Sequence, residues 1–193
     1  MAKDPLKEIF ENITSFSESE WNDIRNNFRL KNISSKELLT KIGDVEKDFY
    51  FVVEGVLRLF CLNPKGEEVT IFLFKENHFA SCYPSFISQS PSEQALESIT
   101  PCTLLAINKR QLVELYQKIP KMNLVARIIA DQRFLNSQQI FTSQIMYTPE
   151  ERYLQFEREH GDLLLRIPHN IIASFLGITP VSMSRIRKRI LRK

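Results

Sequence analysis

The spacing of apolar and polar residues changes period twice along the chain. From Ala2 to Phe28 it is helical and predicts two short helices, with Ser17-x-x-Glu20 as a capping box ahead of a stripe at Trp21, Ile24 and Phe28. Trp21 is expected to pack. From about Arg29 to Ile107 the period falls to two, with short apolar runs at 36–41, 49–53, 56–62, 69–74 and 103–107. Gly43-Asp44, Glu54-Gly55 and Asn63-Pro64-Lys65-Gly66 separate them; the last has the residues of a type I turn joining two strands. Such close spacing predicts an all-β sandwich or barrel of roughly eight strands. Residues 76–97 break the pattern with two prolines, five serines, Phe79, Tyr83 and Phe86. They predict a short helix and loop inserted between strands, a place suited to a ligand pocket.

From Asn108 the helical period returns. A helix is expected over 109–118, a break at Ile119-Pro120, and a long helix over 120–146. Such a helix spans about 40 Å, too long for one compact domain to wrap. Leu124, Ile128, Phe134, Leu135, Phe141, Ile145 and Met146 share one broad stripe. Val125, Ile129, Ile140 and Tyr147 form a narrower second one. One stripe can pack on the β-domain, and a second copy across a two-fold axis is the simplest partner for the other. Arg127, Asp131 and Gln138 interrupt the seam, and burial of the whole helix in its own domain is the alternative. Thr148-Pro149-Glu150-Glu151 then restarts a helix that ends near His160-Gly161, and places a domain boundary at about Tyr147. Residues 163–167 read as a short apolar link, one strand being an option.

The last stretch, PHNIIASFLGITPVSMSRIRKRILRK, carries apolar Ile172, Leu176, Ile178, Met183 and Ile186, with small Ala173 and then Gly177 four residues on. A helix from Pro168 to Leu176, a turn at Gly177 and a restart at Thr179-Pro180 place all of them on one side. That is a helix-turn-helix pattern, whose second helix suits a DNA major groove. Its candidate contact residues are Thr179, Val181, Ser182, Ser184, Arg185, Lys188 and Arg189. An ordinary helical hairpin with a solvated face is the plainer alternative, and charge weighs against it. The 193 residues carry a net +3, yet all 23 acids and only 19 of the 26 basic residues precede Leu163. An acidic body of −4 with a tail of +7 suits contact with a polyanion.

Composition narrows the remaining classes. The 43% hydrophobic and 25% charged residues are those of an ordinary globular protein. No run approaches a membrane span and MAKDPLKEIF lacks a signal-like apolar region, so a cytoplasmic location is expected. Cys61, Cys82 and Cys102 stand singly, which predicts reduced thiols rather than a disulfide frame or a cluster site. His78, His160 and His169 accompany no nucleophile elbow, phosphate loop or metal spacing, so no enzyme, cofactor or metal is expected. His78-x-x-x-Cys82 would suit two metal ligands only if that loop were helical.

The order of elements resembles the Crp/Fnr family of bacterial transcription regulators. The resemblance spans nearly the whole chain. It rests on KIGDVEKDFYFVVEGVLRLF, with Gly43, Asp44, Phe51 and Gly55 at the family's places, and on IASFLGITPVSMSRIRK about 120 residues later. It implies an α+β chain: N-terminal helices and a β-roll sensor, double-stranded and jelly-roll-like, over 1–118; a dimerisation helix over 119–147; and an all-α helix-turn-helix unit over 148–193. The implied partners are double-stranded DNA with half-sites ~34 Å apart, a second copy of the chain, and RNA polymerase. Arg185 matches the family's recognition-helix arginine, which reads guanine. Pro180 and Val181 stand where several members carry further reading residues, so a different preferred sequence is expected.

Two departures follow. Where cyclic-nucleotide-binding members carry Phe-Gly-Glu and later an arginine, this chain has Phe79-Ala80-Ser81 and about Ser92, beside Glu93. No tight cAMP or cGMP binding by the family's mode is therefore expected. The effector, if there is one, is left open, with Phe79, Ser81, Cys82, Tyr83 and Ser92 as pocket candidates. No wing is expected after the recognition helix, and Arg189, Arg192 and Lys193 would take over some of its phosphate contacts. The competing reading is a regulatory module whose helix-turn-helix meets a protein partner.

Overall fold

The computed structural model describes residues 4–190, so Arg192 and Lys193 lie outside the described residues. Helices α1 (Pro5–Glu11) and α2 (Glu18–Asn27) open the chain. Asp4 accepts from the Leu6 and Lys7 N–H groups, and Ser17 and Glu20 close the capping box. Trp21 is buried, meeting Phe10 edge-on with ring centres 6.1 Å apart.

Eight strands follow among the described residues: β1 (Arg29–Ile33), β2 (Leu38–Thr40), β3 (Asp48–Glu54), β4 (Leu57–Leu62), β5 (Glu68–Phe74), β6 (Phe79–Ala80), β7 (Ala95–Ser98) and β8 (Cys102–Asn108). They pair antiparallel in two sheets, β1-β8-β3-β6 and β2-β7-β4-β5. Tyr50, Val52, Leu57, Leu59, Phe74, Leu96 and Leu104 fill the space between the sheets. The outer face of the first sheet offers Phe49, Phe51, Phe79 and Ile107 to α1, α2 and the helices after β8. Strand β3 is thus buried on both faces, which explains its unbroken apolar run. The β4–β5 turn forms as predicted. Gly66 donates to the Asn63 carbonyl at 2.9 Å, and Asn63 Oδ1 accepts from the Lys65 and Glu67 N–H groups. The interval 76–97 holds the expected helix, α3 (Tyr83–Ser88), but also β6 and β7.

Helix α4 (Lys109–Lys118) is capped by Asn108 and Gln111, and α5 (Lys121–Met146) starts after Pro120. The narrow stripe turns inward over most of its length, with Val125 buried and Ile129 and Ile140 half-buried, while Tyr147, just past the end of α5, is exposed. The broad stripe lies open except at Ile128, which is half-buried. Phe134 and Phe141 are each 63% exposed, and Leu135, Ile145 and Met146 are exposed too. Four further helices, α6 (Pro149–His160), α7 (Leu163–Arg166), α8 (His169–Phe175) and α9 (Pro180–Ile190), make the C-terminal unit. The 163–167 link is a helical turn, not a strand. Leu163 is buried while Leu165 is 92% exposed, and the Leu164 and Ile167 N–H groups bond locally, to Gly161 and Leu163.

The C-terminal unit docks on the roll. Val56, with half-buried Leu73 and Ile99, joins the core of Phe156, Ile172, Leu176 and Met183. At the edge of the second sheet, Ser174 Oγ of α8 accepts from the Thr70 N–H at 2.9 Å and donates to the Glu68 carbonyl at 3.3 Å. Arg166 pairs with Glu76, whose Oε1 also accepts from the Gly55 N–H at 2.8 Å. Lys75 pairs with Asp162 at 2.9 Å.

Two predictions follow from this docking. At Gly55, with φ +100°, an added Cβ would lie 2.5 Å from Cys102 Sγ and from the Pro101 carbonyl oxygen. Gly55→Ala should therefore cost about 2–4 kcal/mol in urea unfolding; a cost under about 0.5 kcal/mol would contradict this. Hydrogen bonds from Arg166 hold the Glu76 carboxyl down from 4.5 to about 2. A carboxylate depressed on folding stabilises above its unfolded pKa and loses that contribution as pH falls through the folded value. Glu76→Gln should lower the thermal midpoint above about pH 5, and the gap to the parent should close between about pH 5 and pH 2. A gap independent of pH would show that the charge is irrelevant there.

Candidate nucleic-acid interface and its joint to the roll

The C-terminal unit begins at a capped break. Thr148 accepts from the Glu151 N–H, Glu151 reaches back to Thr148, and Pro149 opens α6. Helix α8 ends in a Schellman turn. Gly177 (φ +65°) donates to Ser174 and Ile178 to Ala173, each at 3.0 Å. The recognition-like helix α9 then starts on Thr179, whose Oγ1 accepts from the Ser182 N–H at 3.1 Å and lies 3.0 Å from Ser182 Oγ. Thr179 and Ser182 are therefore engaged in capping. Met183 and Ile186 anchor α9 in the core beside Ala173. Val181, Ser184, Arg185, Lys188 and Arg189 are exposed on the opposite side. Arg189 forms an ion pair with Glu150 at the start of α6. Arg187 lies 3.1 Å from the His169 ring nitrogens and ties α9 to α8.

Arg152, absent from the residues singled out in the sequence, occupies the joint. Its Nε donates to the Leu176 carbonyl at 2.9 Å, and its Nη1 to those of Tyr147 at 2.7 Å and Gln144 at 3.5 Å. Buried and without a carboxylate among the described residues, it binds the C-terminal ends of α5 and α8 together. Gln144 adds a bond to the Phe175 carbonyl at 3.2 Å. One sequence signal was present: Arg152 precedes Phe156 by four residues, on the apolar face of α6.

The pocket candidates are spread over several surroundings. Ser81 and Cys82 are fully buried and Ser92 nearly so. Ser92 Oγ donates to the Gln94 carbonyl at 2.7 Å and accepts its N–H at 3.0 Å. Burial pushes the Cys82 thiol up to about 12, so it stays protonated and a poor nucleophile. Phe79 stacks on Phe49 at 5.1 Å, and Tyr83 lies beneath the Arg133 guanidinium at 4.8 Å. Glu46, 1% exposed, accepts from Thr40 Oγ1 at 2.7 Å and from the Cys82 N–H at 3.1 Å, and burial raises its pKa. His78 and Cys82 do not share a helix face, because β6 lies between them and the loop is not helical. No group of three or more metal-ligating side chains occurs among the described residues. No helix among them is long and apolar enough to cross a membrane.

Residues 30–119 match the cyclic nucleotide-binding domain family. The global nitrogen regulator of Nostoc sp. is 22% identical over 157 residues, covering 75% of this chain and 70% of that protein. The c-di-GMP responsive global regulator CLP of Xanthomonas campestris superposes with a TM-score of 0.73 at 16% identity, covering 91% of this chain and 92% of that one. FixK2 of Bradyrhizobium japonicum gives 0.76 at 14% identity, over 86% and 85%. Each of these sequence identities is low. These superpositions extend over most of the chain, so residues 30–119 match the cyclic nucleotide-binding domain family and the chain as a whole has the fold of the Crp/Fnr regulators.

Proposed function

We propose that this chain is a sequence-specific DNA-binding transcription regulator that acts as a homodimer. The observation that carries the reading is the outward face of α9. Ser184, Arg185 and Lys188 are exposed on it, while Met183 and Ile186 hold its back to the core. A solvated donor face on an anchored helix fits a major groove, where arginine reads the O6 and N7 of guanine. Arg185 is assigned that role and Lys188 a phosphate. Arg189 joins after leaving Glu150, and Val181 meets a thymine methyl. The division of charge supports this, since the excess of basic residues lies in the proposed DNA-binding unit, 148–193.

The exposed stripe Phe134, Leu135, Phe141, Ile145 and Met146 supports dimerisation through 119–147. Large apolar side chains in a continuous row are costly in water, and a two-fold copy of the same helix covers them. The sensor unit, 1–118, is read as one that does not take cAMP. Packed side chains occupy the space between its sheets, Ser92 stands at the expected arginine position, and the Glu46 carboxylate already accepts the Cys82 N–H. A phosphate there would face the buried Glu46 carboxylate.

Selection of duplexes from a random pool tests the reading. Binding to the selected site should weaken steeply with salt, with a log–log slope of several units. Arg185→Ala should lose about 1–3 kcal/mol per half-site on that site and little on random duplex. Failure to retain any duplex at low salt would overturn the proposal. Phe141→Glu should convert a dimer to a folded monomer by light scattering; an unchanged mass would place the interface elsewhere.

A further inference from the structure

A cleft of about 530 Å³ opens where the roll, the long helix and the C-terminal unit meet. Phe72 and Phe74 of β5, Ile128 and Ile140 of α5, and Phe156 and Leu163 from the C-terminal unit give it apolar walls. A mostly apolar cavity of this size with a few placed polar groups is the usual form of a small-molecule site. It adjoins the place marked by the cyclic-nucleotide pattern without being it: Phe79 lines the cleft, while Ser81, Cys82 and Ser92 are buried in the roll and do not.

Two polar groups on its walls lack the partner their chemistry calls for. The first is Arg133 of α5. Its guanidinium lies 4.8 Å from the Tyr83 ring centre and 5.5 Å from that of Phe74, and donates to the carbonyls of Phe79 at 2.9 Å and Ser81 at 3.4 Å. Both acceptors are neutral, and no ion pair among the described residues includes Arg133. Desolvation accordingly pulls its pKa down to about 10. The second is His160 of α6, whose Nδ1 is buried with no hydrogen-bond partner among the described residues. Burial also lowers its pKa, so at neutral pH the ring is an uncharged donor and acceptor. Buried polar atoms without partners are uncommon, and of those among the described residues (Thr70 Oγ1, Ser81 Oγ, Gln94 Oε1 and His160 Nδ1) only the last belongs to a residue lining the cleft, where an occupant can meet it.

The charges around the cleft select the ligand. Among the described cations on its walls, Lys75 is paired with Asp162 and Arg152 is engaged with three carbonyls, whereas Arg133 has two neutral acceptors and guanidinium N–H groups to spare for a guest. Glu159 lines the same wall and disfavours a second negative charge. We propose that the cleft binds an amphipathic monocarboxylic acid, its carboxylate on Arg133, its apolar body along Ile128, Ile140 and Phe156, and any second polar atom on His160. Such a guest touches β5 and α5 on one side and α6 on the other. It therefore favours whichever orientation of the C-terminal unit keeps both walls in reach. Binding stands by itself; control of DNA affinity rests on the regulator reading above.

Calorimetric titration of the full chain tests this, with decanoate and 2-naphthoate as probes below any micelle-forming concentration and methyl decanoate as the neutral control. The expected result is saturable binding at one acid per chain, at least about tenfold weaker for the ester and for Arg133→Gln. Because Arg133→Gln also removes bonds to the roll, Ser143→Phe, which fills the cleft and leaves Arg133 in place, should abolish binding in a chain with the parent circular dichroism spectrum. No binding by the folded parent, equal binding of acid and ester, or full binding by Ser143→Phe would each overturn the proposal. Anisotropy of a labelled selected duplex is followed separately, without ligand. Duplex binding with no acid binding overturns this inference alone, and acid binding with no duplex binding overturns the regulator reading alone.

Discussion

Arg152 places one guanidinium at the point where two helices end. The last turns of α5 and α8 both leave carbonyls without helical partners, and both carry the partial negative charge of a helix C-terminus. Three of those carbonyls converge on the Arg152 side chain, which finds there the countercharge that no carboxylate supplies. Arg152 thereby ties the end of the long helix to the first helix of the helix-turn-helix. Gln144 reinforces the arrangement and lies where a side chain on Gly177 would sit.

Much of this architecture could be read from local chemistry. The capping residues at Ser17, Thr148 and Thr179, the turn at Asn63 to Gly66 and the break at Pro120 were legible because each acts on its own few neighbours. Strands β6 and β7 were not. They are two and four residues long, lie among prolines and serines, and are strands only because Phe79, Ala80 and Leu96 find partners far along the chain. The helical turn over 163–166 was missed for a related reason, since a run of leucines has no period to separate strand from helix. At the candidate site, the exposed cations of α9 followed from amphipathic spacing. The pairing of Arg189 with Glu150 joins residues 39 apart, and no local pattern announces it.

The interior of the roll and the cleft outside it differ in whether polar groups border open space. Between the sheets and at their margin, Glu46, Ser92 and Cys82 are satisfied by the protein itself, and large apolar side chains take the remaining volume. Outside, against α5 and α6, the same chain leaves a void, a guanidinium with neutral partners and an unmet imidazole. Of the four buried polar atoms without a partner among the described residues, Thr70 Oγ1, Ser81 Oγ and Gln94 Oε1 lie in the roll away from the cleft, and only that of His160 belongs to a residue lining it. On the binding proposed above, a small molecule would act from this cleft and not from between the sheets.

The hydroxyl of Ser174 meets the backbone of β5, the outermost strand of its sheet. Strand borders left uncovered are templates for pairing with other chains, and proteins commonly shield them. Here the shield is α8, the first helix of the pair proposed to grip DNA. A wide swing of that helix would strip the border bare and invite sticking between molecules. The tolerable movement is therefore a short slide or pivot that keeps β5 under cover, and a mutant locked in a fully detached pose should be recognised first by its tendency to clump.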